Sequence, residues 1–417
     1  MNEFNLFFYI IIGVIFFEYI LSIIVKIFNI KSLDEPLPKE FSDTYEPSNY
    51  IKSQAYTKSN TNFSFITTSF SVLLSLYFIL SGFYNDIDLF IRNDLQIGND
   101  IVRGLCFFGI LFIITDILNT PFSLYKTFVI EEKYGFNKTT VSTFIIDKIK
   151  GYFLLIIIGA PVLYLILNFF TNYGVNAWFY VWLFLILFSF IMQPIFNIFI
   201  APLFNKFTPI EEGPLLDKIK AYLQKVNFPV KKLEIVDGSK RSSHSNAYFS
   251  GMGKNKRIAL FDTLVDQMDD NEIVSVIAHE VGHYKLKHVY SNIFLSAIQS
   301  GVMLYIMSLF IENRNLFDVF QMENTSVYAS LVFFSMLYSP ISFLIGILFT
   351  YISRQNEFAA DKYSVETAKM PTSMISALKK LSKENLSNLN PHWLNVFLNY
   401  THPPVLKRIE AIRSISK

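Results

Sequence analysis

Residues 177–204 read AWFYVWLFLILFSFIMQPIFNIFIAPLF, a run without a single charged side chain. A helix needs about 20 residues to cross the hydrocarbon core of a bilayer, so this run is long enough to span one. Six more runs of the same character lie at roughly 5–29, 64–84, 102–120, 151–171, 291–312 and 327–352. Composition agrees: 52% of the 417 residues are hydrophobic and only 17% charged, where soluble domains carry about 25% charge. The mean hydropathy is +0.36. The expected fold class is mainly α, a membrane protein of seven transmembrane helices with a small α+β portion outside the lipid. The first run has no basic segment before it and exceeds the apolar stretch of a signal sequence, so it reads as a retained helix. The single cysteine, Cys106, allows no disulfide framework, and a net charge of +2 gives no case for a nucleic-acid partner.

Lys and Arg concentrate in alternate loops. Residues 30–62 carry four, 121–150 five, 205–290 thirteen and the tail from 353 ten, whereas the intervening loops hold only Arg92, Arg103 and Arg314. Cytoplasmic loops accumulate these residues, so the expectation is a cytoplasmic placement for the odd-numbered loops and the C-terminus. Four parts follow: 1–204 with five spans, 205–290 as a polar region, 291–352 with two spans, and 353–417 as a helical C-terminal region. In the second part, residues 233–237 and 257–261 are short β-prone runs separated by Gly251-Met-Gly253, suggesting a hairpin or small sheet. Residues 271–288 have helical spacing, and Asp269 with Glu272 forms the pattern of a capping box. Another helix is expected from about Ser353 to Ala368, stopping at Pro371.

The sharpest chemical signal is His279-Glu-Val-Gly-His283. Two histidines four apart lie on one helix face and can grip one Zn²⁺ per chain, while Glu280 between them can reach water on the metal without being a ligand. A carboxylate there can take that water's proton during attack on a peptide carbonyl. A catalytic zinc needs a third protein ligand. His288, five residues past His283, rotates off the ligand face and reads as a solvated helix end. Glu357 is better placed, with Asp361 four residues on to receive the other ring N–H of a zinc-bound histidine. That spacing is also common on solvated helices.

Together with FVIEEKYGFNK (128–138), APLFNKFT (201–208), KRSSHSNAY (240–248), KRIALFDT (256–263), SRQNEFAAD (353–361) and His402-Pro-Pro404, the chain resembles the type I CAAX prenyl endopeptidases, polytopic zinc proteases of the gluzincin type. The resemblance implies Glu357 as third ligand and Asp361 as its supporting partner. It implies that His402 donates to the oxyanion of the tetrahedral intermediate, with Arg408 fixing its neighbourhood. Asn246, Ala247 and Tyr248 resemble the family's substrate-binding edge strand, where an extended peptide pairs by its backbone. The family architecture is a chamber walled by seven helices, a setting in which Glu18 and Asp116 would face protein or water, because charge is expensive in lipid.

The function expected is therefore membrane-embedded zinc endoproteolysis, with peptide or protein substrates, prenylated in the named family, and membrane lipid as partners. Broader cleavage of misfolded or stalled membrane proteins is the alternative. A non-enzymatic zinc scaffold is the third reading, and it is disfavoured because a closed structural site needs four protein ligands and no adjacent Glu.

Overall fold

A computed structural model describes residues 5–251 and 256–415. Helices dominate. Leu6–Lys31 (α1), Pro47–Leu80 (α2) and Asp100–Tyr125 (α3) are followed by a helical stretch from Val141 to Phe204 containing Val141–Leu154 (α4), Ala160–Tyr173 (α5) and Ala177–Ile195 (α6). The later helices are Asp270–Lys285 (α7), His288–Ser308 (α8), Val327–Ala368 (α9), Pro371–Glu384 (α10), Trp393–Asn399 (α11) and Val405–Ile415 (α12).

Six helical stretches among the described residues are long and apolar enough to cross a membrane. The fourth accounts for two of the seven runs. Its 64 residues are broken by a single turn of 3₁₀ helix at Gly174–Asn176, where Gly174 has φ +53°, a backbone that glycine adopts cheaply. The limbs then fold back on each other: Tyr173 meets Tyr180 at 4.9 Å between ring centroids, and Phe169 meets Phe184 at 6.3 Å. Large apolar side chains point outward along these helices, including Phe153, Ile156, Ile198, Phe294 and Leu344, as lipid-facing surfaces require.

The four-stranded sheet holds Phe207–Pro209 (β1), Lys232–Val236 (β2), Ala247–Ser250 (β3) and Arg257–Phe261 (β4), in the order β1-β2-β4-β3. The two runs read from sequence do not form a hairpin. They are parallel neighbours, Leu233 opposite Ile258, and β3 pairs antiparallel with β4 as the edge strand. The turn anticipated at 251–253 lies mostly outside the described residues. β4 is buried from Arg257 to Leu260, and its Ile258 and Leu260 share a core with Ile219, Ile273, Ile277 and Val281.

Two helices position the site. α7 begins with the anticipated capping box, Asp269 accepting from the Glu272 amide and Glu272 from the Asp269 amide. Glu272 is itself buried and pinned to α10 by Ser376 and Lys380. The other element differs from expectation: no separate helix starts at Ser353, because the span from Val327 continues unbroken to Ala368. No residue between 350 and 355 is a glycine or proline, so nothing there stops a helix.

Candidate metal centre

Buried face to face, α7 and α9 approach closely at one point. A Cβ on Gly282 would lie 3.3 Å from both the Cα and the carbonyl oxygen of Ala360, a distance that only glycine avoids crowding. Ser364 of α9 donates to the Ser275 carbonyl of α7 at 2.8 Å, tying the helices one turn deeper. This contact carries Glu357 to the histidine face of α7. His279, His283 and Glu357 each offer one ligand atom, all within 4.8 Å of one another. The two Nε2 atoms are 3.1 Å apart, and Glu357 lies 3.4 Å from His279 Nε2 and 3.2 Å from His283 Nε2.

Each imidazole is held from behind. His279 Nδ1 meets Asp361 Oδ1 at 2.8 Å, and His283 Nδ1 meets His288 Nδ1 at 3.0 Å. The His288 contact corrects the sequence reading, which placed that residue on a solvated helix end. α7 stops at Lys285, Lys287 adopts a left-handed φ of 62°, and α8 restarts at His288, so helical rotation no longer applies across the joint. His288 is consequently buried. Its five-residue spacing carried no signal of this; the left-handed corner did the work.

Arg408 grips Asp361 in a fork, Nη2 to Oδ1 at 2.6 Å and Nε to Oδ2 at 2.8 Å, and also stands 3.4 Å from Glu357 Oε2. Such a bidentate pair fixes direction as well as charge. His402 approaches from the opposite loop, its Nε2 3.4 Å from Glu357 Oε1. Burial opposes the charged form of His279, but hydrogen bonds to Asp361 and Glu357 outweigh it and raise its pKa to about 9. Burial likewise pushes the Glu280 carboxyl upward, against the lowering effect of the two neighbouring imidazoles.

A cleft of about 430 Å³ opens over these groups, lined by Asn246, Ala247, His279, Glu280, Glu357, His402 and Arg408. Asn246 and Ala247 of the substrate-strand reading thus reach the cleft. Tyr248 does not line it, but meets the Phe261 ring of β4 edge-on, 6.5 Å between centroids. Of the charges within the spans, Asp116 is bound by Lys148 at 2.9 Å and Tyr152 at 2.6 Å, while Glu18 lines a second cavity described below.

The residues fit a catalytic zinc ion. Glu357 Oε2 is a buried carboxylate oxygen whose contacts with His279 Nε2 and Arg408 Nη1 are both long, at 3.4 Å, the two imidazole Nε2 atoms converge on the same space, and a His₂Glu donor set leaves a fourth position free.

Comparison with known proteins gives the same picture over the whole chain. The family model described as CAAX prenyl protease N-terminal, five membrane helices, matches residues 26–206, and that of peptidase family M48 matches 209–416. A CAAX prenyl protease 1 homolog of Oryza sativa is 39% identical over 387 residues, 90% of either chain. That of Arabidopsis thaliana is 37% identical, with 96% of each chain covered, and CAAX prenyl protease 1 of Saccharomyces cerevisiae is 31% identical, with 93% of this chain and 90% of the relative covered. The crystal structure of S. mikatae Ste24p superposes with a TM-score of 0.92 at 30% identity, covering 98% of this chain and 100% of the other.

Proposed function

This chain belongs to peptidase family M48, among its multi-pass membrane CAAX prenyl proteases, and from that premise we propose that it removes the C-terminal tripeptide of CAAX-type substrates at the His279–His283–Glu357 centre. M48 enzymes are zinc-dependent metallopeptidases. The observation that carries the reading is the convergence of three donor atoms within 4.8 Å in a cleft that Glu280 also lines.

Zinc held by His279, His283 and Glu357 would supply Lewis acidity at the scissile carbonyl and lower the pKa of a water to about 7. Glu280, outside the donor set, takes a proton from the attacking water and returns it to the departing amine as the C–N bond breaks. His402 donates to the oxygen that gains charge as the carbon becomes tetrahedral. Arg408 acts through Asp361, which holds the His279 ring by Nδ1 and so keeps its Nε2 aimed inward. Ala247, which opens the edge strand, and Asn246 just before it take the substrate as an added strand, with backbone pairing giving affinity and few side-chain demands. The distribution of Lys and Arg supports a cytoplasmic site.

Purified enzyme incubated with a farnesylated CAAX peptide should release the tripeptide, lose that activity to a zinc chelator and regain it with added zinc. Absence of tripeptide release from fully metallated enzyme would overturn the reading. Equal cleavage of the unprenylated twin would instead favour broader removal of misfolded membrane proteins, the alternative that a backbone-reading strand also suits.

A further inference from the structure

Beside the catalytic cleft lies a second cavity of about 650 Å³, walled by α1, α2, α11 and the 385–388 loop. The two cavities meet: Asn385 and Ser387 line both, and the segment that places Tyr400 in the second places His402 in the first. This cavity is polar where its wall is otherwise apolar span. Carboxamides run through it as a ladder from α1 to α11, Asn395 donating to Asn29 at 3.1 Å and Asn399 donating to Asn395 at 2.8 Å.

Lys26 lines it one helical turn before Asn29. Its ammonium donates to the Ser64 carbonyl at 3.1 Å and to Thr68 Oγ1 at 2.6 Å, and the Phe65 ring lies 5.5 Å away. Among the described residues no carboxylate comes within ion-pair distance of it, although an ammonium carries three donors. A cation in an apolar helix without a counter-ion is expensive and marks a ligand's place. The one other Lys or Arg on either cavity wall, Arg408, is committed to Asp361 and Glu357.

We infer that Lys26 binds the C-terminal carboxylate of the substrate, so that the tripeptide to be released lies along the second cavity with its terminus against α1. This rests on the CAAX reading above, because that substrate ends in a free carboxylate close to the bond that is cut. Three extended residues reach about 10 Å, and the shared wall at Asn385 and Ser387 gives them a passage from one cavity to the other. Glu18 lines the same cavity eight residues earlier, two helical turns or about 12 Å along α1. It repels an anion from that end and confines it to the Lys26 end.

The test compares a farnesylated CAAX peptide as free acid with its C-terminal amide, for the wild type, Lys26→Gln and Lys26→Arg in detergent. The wild type should favour the acid by about tenfold or more in kcat/KM, mainly through KM, as expected of a hydrogen-bonded ion pair. Lys26→Gln should bring the acid-to-amide ratio close to one, and Lys26→Arg should keep most of it. A ratio unchanged in Lys26→Gln, with both rates lowered together, would mean a structural role and overturn the inference. So would equal cleavage of both peptides by the wild type, which leaves the CAAX reading standing. If the wild type cleaves neither, the CAAX reading fails and the carboxylate site falls with it.

Discussion

The two helices that meet at the metal centre are built in opposite ways. α7 is a 16-residue helix closed by a capping box and buried from Glu272 to His279, clamped between the sheet and the C-terminal helices. α9 runs 42 residues, exposing Leu344, Leu348 and Tyr351 along one part and burying Glu357, Ala360 and Asp361 along the next. On the proposed reading, α7 would supply two ligands and the base from adjacent positions of one helix. α9 would supply a single ligand, Glu357, plus Asp361, the carboxylate that contacts His279 on its neighbour. Chemistry that needs fixed spacing is placed within one helix, and chemistry that needs fixed orientation is placed across two.

The comparison breaks most severely at Glu280. If α7 carries the proton transfer and the helix pair carries the metal, Glu280→Gln should lower kcat by about 10²- to 10⁴-fold while bound zinc, measured by atomic absorption, stays at one per chain. Full activity in a zinc-loaded mutant would remove the base from the mechanism. Asp361→Asn tests the cross-helix half. Losing the charged acceptor behind His279 should weaken zinc affinity about 10- to 100-fold in competition with a chelator. Unchanged affinity would reduce the Asp361–His279 contact to packing.

A smaller effect is expected at the crossing itself. Gly282→Ala pushes a methyl group against the Ala360 backbone, which cannot rotate aside, so α7 and α9 must part by a few tenths of an ångström. Overpacking of this kind costs about 1–3 kcal/mol, visible as a lower thermal midpoint. Metal affinity should fall less than in Asp361→Asn. A mutant with both properties intact would show that the helices have slack at this point.

Legibility in the sequence follows the same division. His279, Glu280 and His283 can be read from spacing because one helix turn sets their relation, and the apolar runs can be read because lipid imposes length and composition. Glu357 stands 74 residues beyond His283, and no local pattern decides that its helix is the continuation of a span. His402 and Arg408 come to the site through a loop and α12, relations made only by tertiary packing. His288 was misread for a related reason: helical phase was carried across Lys287, where the backbone turns left-handed. The sequence suggests a hairpin or small sheet but hides its parallel centre, because β3, which lies between β2 and β4 in the chain, pairs only with β4 and at the edge.

The continuity of α9 also gives the site a depth. Glu357 stands thirty residues beyond Val327, about 45 Å along a helix rising 1.5 Å per residue, against a hydrocarbon layer of about 30 Å. The carboxylate therefore rides on one continuous helix anchored in the bilayer, whose single internal proline, Pro340, lies seventeen residues before it. If Glu357 holds the metal as proposed, membrane thickness and tilt would act as a plumb line for the site, setting its level relative to the lipid.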